Sequence, residues 1–204
     1  FSNPVAYTVT AEDGSTKTYT VTVYQLKDCD ITSFVIDGVS AKIDYATKTI
    51  TAIVSGDYDL KQATAEIKTV NANATVTPAS GAAVDLSASW TNGVTFKATS
   101  GSSSSTYTVQ IRNKSKDASI TSFVIPDGQL KYQGKNGAVS ATITGTLISL
   151  VMEYGNTTSQ QTIAEVQLAE GATISPDPSV KRRQTGTKYV VTAEAGNTLT
   201  YTVN

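Results

Sequence analysis

The chain contains no histidine, one cysteine, one methionine and one tryptophan among its 204 residues. Without imidazole there is no Ser-His-Asp or Cys-His nucleophile activation, no histidine-ligated zinc and no imidazole proton shuttle near neutral pH. The single cysteine, Cys29, excludes an intrachain disulfide, so the core alone must hold the fold. Cys29 reads as a small buried hydrophobe or a linker residue, since nothing near it in sequence favours the thiolate. An excess of charge of either sign is also missing, because 16 Lys+Arg stand against 17 Asp+Glu. A nucleic-acid binder needs a basic excess to displace counterions from phosphates, and that is absent. No apolar run approaches the roughly 18–20 residues that span a bilayer; the longest, Thr146 to Met152, is of strand length. No signal peptide opens the sequence, and residues 1–204 read as a mature or trimmed piece of something longer.

Small hydroxyls are abundant instead, with 33 Thr and 21 Ser. Thr, Val, Ile and Tyr together make a β-sheet composition, because branched and aromatic side chains suit a pleated, half-buried surface. Repeats organise the whole chain. Ile31-Thr-Ser-Phe-Val-Ile36 returns letter for letter as Ile120-Thr-Ser-Phe-Val-Ile125, an offset of 89. Ala74-Thr-Val-Thr-Pro-Ala-Ser80 returns as Ala172-Thr-Ile-Ser-Pro-Asp-Pro-Ser179. A third element occurs three times, at Tyr7–Val23, at Phe96–Ile111 and at Tyr189–Asn204. Within it Tyr19, Val21 and Val23 alternate with Thr18, Thr20 and Thr22, the period-two signal of a sheet with one buried and one wet face. Glu12-Asp13-Gly14-Ser15 reads as its hairpin turn, matched by Gly101–Ser105 and Glu194–Asn197. Leu60–Glu66 is the one stretch that could form a short helix. The pattern predicts an all-β chain of tandem immunoglobulin-like β-sandwich domains with a partial N-terminal repeat. Residues 1–27 form the closing hairpin of a truncated repeat, and sandwiches occupy 28–113 and 118–204. The hairpin at 1–24 is expected to pair with strands from elsewhere: an upstream segment, the 28–113 domain or a second copy of the molecule.

These pieces, in this order, resemble the immunoglobulin-like repeat of Bacteroidetes surface lipoproteins, the DUF5018-like group. The resemblance rests on the opening Ile31–Ile36, the turn Gly56-Asp-Tyr-Asp-Leu60, the segment Ala74–Gly81 and the closing hairpin at 96–111. The last repeat fits through Ile120–Ile125, Gly171–Ser175 and Tyr189–Val203. It departs at Glu153-Tyr-Gly155, where the Asp-Leu pair is absent, and at Pro176–Ser179, where the glycine is lost. The resemblance implies an exported cell-surface protein tethered to the outer membrane through an upstream lipid anchor, a neighbour of glycan-uptake machinery. It brings no catalytic residues and no cofactor. Its implied partners are polysaccharide or oligosaccharide and other surface proteins of a glycan-uptake system.

Carboxylates come nearest to a reactive constellation. Asp57 and Asp59 flank Tyr58, Asp28 and Asp30 flank Cys29, and Glu12-Asp13 tops a hairpin. A glycosidase holds two carboxylates roughly 5–10 Å apart in a cleft, whereas these pairs sit in turns and linkers where Asp serves local hydrogen bonding. The Asp28/Asp30 pair could contribute hard oxygen ligands to calcium, but the second linker, Asn113–Ala118, offers only Asp117. An aromatic ring can stack on the apolar face of a pyranose while polar neighbours take its hydroxyls. The candidates are Tyr45, Tyr58, Tyr132 and Tyr154, which fall in or beside turns and do not repeat, and Trp90. Trp90 stands six residues before Phe96, as Phe1 stands six before Tyr7, and a recurrent aromatic favours packing over ligand binding. Lys181-Arg-Arg183 could meet an anionic glycan or head group, or be a solvated loop. Ser102–Ser105 reads as a hairpin tip. The sequence thus points to a non-enzymatic surface module that binds or presents glycans, with a purely structural or adhesive spacer stalk as the alternative.

Overall fold

A computed structural model describes residues 4–130, 137–152, 155–159 and 161–204. The fold is all-β and sandwich-like, in two compact units, Phe1–Asn113 and Lys114–Asn204. The first begins with β1 (Val5–Thr10) and β2 (Thr16–Val21), joined at Gly14, whose φ of 82° closes the turn. There follow β3 (Ile31–Ile36), β4 (Val39–Ser40), β5 (Lys42–Asp44), β6 (Thr49–Val54), β7 (Ala65–Thr69) and β8 (Thr75–Thr77). A four-residue helix, α1 (Ser89–Asn92), leads into β9 (Val94–Ser100) and β10 (Ser103–Asn113). Strands β3 to β10 make two sheets, of order β4-β3-β7 and β5-β6-β10-β9-β8.

The second unit repeats this plan. Its strands are β11 (Ile120–Ile125), β12 (Val139–Ser140), β13 (Thr142–Thr144), β14 (Leu147–Ser149), β15 (Glu165–Leu168), β16 (Thr173–Ser175), β17 (Lys188–Thr192) and β18 (Thr198–Val203). They form sheets of order β12-β11-β15 and β13-β14-β18-β17-β16. In each unit the closing hairpin is antiparallel, while its last strand also pairs in parallel with an earlier one, β10 with β6 and β18 with β14.

The shared hexapeptide does not follow simple alternation. Ile31, Phe34 and Ile36 are all buried, as are Ile120, Phe123 and Ile125. The register shifts between Ile31 and Ser33, and again between Ile120 and Ser122, so one extra residue turns both the isoleucine and the phenylalanine inward. There Phe34 meets Phe96 edge-on, with ring centroids 5.4 Å apart. Phe123 meets Tyr189 in the equivalent place at 5.8 Å. Where the second unit replaces Phe96 with a tyrosine, the buried phenol needs an acceptor. Tyr189 donates to Oε1 of the fully buried Gln184, whose amide nitrogen in turn donates to the Thr162 carbonyl.

Three expectations change. The helix at 60–66 is only a 3-10 turn over Leu60–Gln62, capped by the Asp59 carboxylate on the Lys61 N–H, because Ala65 onward is drawn into β7 beside β3. Ser102–Ser105 is not wholly a hairpin tip: β10 starts at Ser103, and Ser105 is buried opposite Ala98. The hairpin β1–β2 forms a two-stranded sheet of its own, with no strand from 28–113 beside it.

Gly93 joins α1 to β9 with φ 69° and ψ 151°, a region essentially closed to other residues, and a Cβ there would lie 2.5 Å from Thr108 Cγ2. Gly93→Ala is expected to lower stability by about 1–3 kcal/mol in denaturant titration. Adding Thr108→Ala should restore only the steric part of that loss.

Candidate functional site

The most densely bonded polar group in the first unit surrounds Asp30, which is 2% exposed. Its Oδ1 accepts from Lys48 Nζ at 2.7 Å, Ser105 Oγ at 2.6 Å and the Tyr107 hydroxyl at 2.9 Å. Its Oδ2 accepts from the Lys27 N–H at 2.9 Å. Cys29 is fully buried, with Sγ 3.4 Å from Ser105 Oγ. Burial alone would raise the Asp30 pKa, but the Lys27 N–H, the Lys48 ammonium and the two hydroxyls together hold it well below the usual carboxylate range. Burial and then the Asp30 carboxylate push the Tyr107 phenol above its ordinary value. Both carboxylate oxygens accept from the protein's own donors, so the cluster fastens the segment before β3 to the start of β6 and to β10. The second unit keeps the tyrosine and drops the charges. Tyr201 donates to the Ala118 carbonyl and accepts from the Ile120 N–H, while Ser119 stands in place of Asp30.

Three of the other carboxylates named above serve their own turns. Asp13 caps the Ser15 N–H, Asp59 the Lys61 N–H and Asp117 the Ser119 N–H. Among the described residues no three acidic, thiol or imidazole side chains converge on a common point. Lys181, Arg182 and Arg183 lie in a loop, where Arg182 donates to the carbonyls of Asp177 and Val180.

Of the aromatic candidates, Tyr132 and Tyr154 lie outside the described residues. Tyr58 packs partly against the core, and its hydroxyl accepts from the Thr64 N–H and donates to the Thr64 carbonyl. Tyr45 is half-buried between Tyr24, 6.4 Å away ring to ring, and the Lys48 ammonium, 5.7 Å from its centroid. Trp90 is different. Its place in a recurrent aromatic position suggested packing, yet it is 45% exposed on α1 beside the outer face of the five-stranded sheet.

Period-two alternation builds that face. β10 turns Tyr107, Val109 and Ile111 inward, and so turns Thr108, Gln110 and Arg112 outward. The register then lays Lys42, Thr51 and Gln110 side by side across β5, β6 and β10. Gln110 Nε2 donates to the Trp90 carbonyl at 3.3 Å, and the Arg112 guanidinium lies 5.3 Å from the Trp90 ring centroid. From this row Lys42 and Thr51, together with Asp44, Thr47 and Thr49, line a depression of about 220 Å³. An exposed indole thus borders a field of hydroxyl, amide and charged groups, an arrangement suited to a flat polar ligand with one apolar face. Arg112 and Gln110 were not singled out from sequence, although their alternation with Val109 and Ile111 was enough to place them with Thr108. In the second unit, counting back six from Tyr189 reaches Arg183 and not an aromatic residue.

A larger groove of about 490 Å³ lies between the edge strands β7 and β8, lined by Ile67, Lys68, Ala74, Val76 and Ser80 among others. It carries no aromatic ring and no acid pair.

Residues 31–111 match the family model described as SGBP, N-terminal. The match covers the first complete repeat, the part that carries Trp90 and its face, and less than half of the chain. No curated protein matches the chain. Among solved structures, one described as a "putative glycoside hydrolase" from Bacteroides thetaiotaomicron is 20% identical, with a TM-score of 0.34. The alignment covers 58% of this chain and 33% of that one, so the chain spans about a third of its length. Among the described residues no helix is long and apolar enough to cross a membrane.

A depressed carboxylate pKa stabilises the folded state above the unfolded value near 3.9, and that contribution fades as pH falls below it. Asp30→Asn is therefore expected to cost about 1.5–3 kcal/mol at pH 7. The gap between variant and wild-type melting temperatures should narrow as pH drops from 5 towards 2. A gap independent of pH would mean that Asp30 is not ionised in the fold.

Proposed function

We propose that the chain is a non-enzymatic module of a Bacteroidetes-type exported lipoprotein that binds glycans at the cell surface and presents them to an uptake system. The family match over residues 31–111 carries this reading. It is supported by the exposed Trp90 beside Gln110, Arg112 and the threonine-lined face. In this role the indole takes the apolar face of a pyranose, and Gln110, Thr51 and Lys42 meet its hydroxyls. Nothing in the site calls for a nucleophile or an acid–base pair, and the role requires no cofactor. The finer assignment to the DUF5018-like group and the lipid-anchored outer-membrane location belong to the same proposal, on the motifs set out above.

A second reading is a spacer stalk that holds a distal binding part away from the membrane. One observation favours it: the second unit repeats the sandwich but has Arg183 in sequence where the first has Trp90.

Affinity electrophoresis through soluble polysaccharides, followed by a glycan array, separates the two. The binding role predicts retardation by at least one polysaccharide, weakened about tenfold or more by Trp90→Ala and unchanged by Tyr58→Ala. No retardation by any glycan would favour the stalk. The protein is expected to release no reducing sugar from any polysaccharide it binds, and release would overturn the non-enzymatic assignment.

A further inference from the structure

The hairpin β1–β2 is built like the closing hairpins of the two complete repeats but lacks their cover. Tyr7 faces Tyr19 across the ladder just as Phe96 faces Tyr107 and Tyr189 faces Tyr201. Val5 faces Val21 as Val94 faces Val109. In the complete repeats Val94 is half-buried and the other positions are closed: Phe96, Tyr107, Val109, Tyr189, Tyr201 and Val203 are all 0–3% exposed. In the hairpin, Tyr7 is 56% exposed, Tyr19 49%, Val5 51% and Val21 46%. The chain therefore shows twice what an interface on this face is made of, and once the same face without it.

We propose that this face receives the opening half of a further repeat of the same type, supplied by polypeptide on the N-terminal side of Val5, as β3 to β8 stand on the N-terminal side of β9. The chemistry of the occupant follows from the two filled cases. Its first strand carries Ile-x-x-Phe-x-Ile, with the phenylalanine against Tyr7 as Phe34 is against Phe96 and Phe123 against Tyr189. The residue one or two places before that strand takes the Tyr19 hydroxyl, as Asp30 takes Tyr107 and the Ala118 carbonyl takes Tyr201. A second strand runs parallel along the free edge of β2, as β6 runs along β10 and β14 along β18. Two positions depart from the pattern. Lys17 stands where Ser105 and Leu199 stand; Ser105 is buried and Leu199 is 42% exposed, so the position is closed in the first complete repeat and open in the second, and a lysine fits only the open form. Pro4 precedes Val5 where Gly93 precedes Val94 with positive φ, so the connection into the hairpin takes another path.

The test compares the 204-residue chain with a fusion in which residues 1–4 are replaced by a second copy of residues 28–93. Amide hydrogen exchange is read at Tyr19, Thr20 and Val21. In the 204-residue chain these amides are expected to exchange quickly and independently of protein concentration. In the fusion they should slow by about 100-fold or more. Introducing Tyr19→Lys into the fusion should abolish that protection and leave exchange at Tyr107–Ile111 unchanged. No protection in the fusion would overturn the proposal. Protection in the 204-residue chain that rises with concentration and is lost with Tyr19→Lys would overturn it too, because a second copy would then be the occupant.

Discussion

Each repeat depends on one contact: a phenylalanine from the opening strand set against the paired aromatics of the closing hairpin. Phe34 and Phe123 are both 1% exposed, and each reaches its hairpin only because a bulge earlier in the strand turns it inward. Burial of a ring of this size contributes about 1.5–3 kcal/mol, and edge-on aromatic packing adds roughly 0.5–1.5 kcal/mol. More important than the sum is what the contact joins. The opening strand and the closing hairpin lie about 60–75 residues apart in sequence, at opposite ends of the repeat. The remaining strands add to one or other of these two pieces.

The polar anchor behind the contact shows how one geometry tolerates different chemistry. In the first unit the tyrosine of the last strand bonds to an ionised Asp30, which also takes Lys48 and Ser105. In the second the same tyrosine bonds to backbone alone. In the charged version four of the protein's own donors meet the one carboxylate, which fastens the segment before the opening strand to the rest of the unit. On the outer face of the sheet, the alternation that fills the core also sets out Thr108, Gln110 and Arg112 beside Trp90.

Much of the fold was legible in the sequence because repetition doubles every signal. The identical hexapeptides at 31 and 120 and the three Tyr-Thr-Val hairpins mark the strands, and period two marks their inner faces. The bulges were not legible: Ile31 and Phe34 are an odd number of residues apart, so simple alternation puts them on opposite faces. Nor was the Asp30 cluster, whose members are brought together only by folding, with Ser105 and Tyr107 more than 70 residues from Asp30. Trp90 was read towards packing because its position recurs. The recurrence fixes where the residue stands in the fold, but not which way a residue on a four-residue helix presents its ring. Tyr58 stands beside a turn, and its hydroxyl is taken up by the Thr64 backbone.

The contact between opening strand and closing hairpin is tested most directly by Phe34→Ala, followed by hydrogen exchange along both closing strands of the same chain. If that contact holds the repeat together, the loss is about 3–5 kcal/mol. Exchange should then quicken at Tyr107, Val109 and Ile111 while Tyr201 and Val203 keep their protection. A loss below about 1 kcal/mol, or equal quickening in both strands, would contradict it.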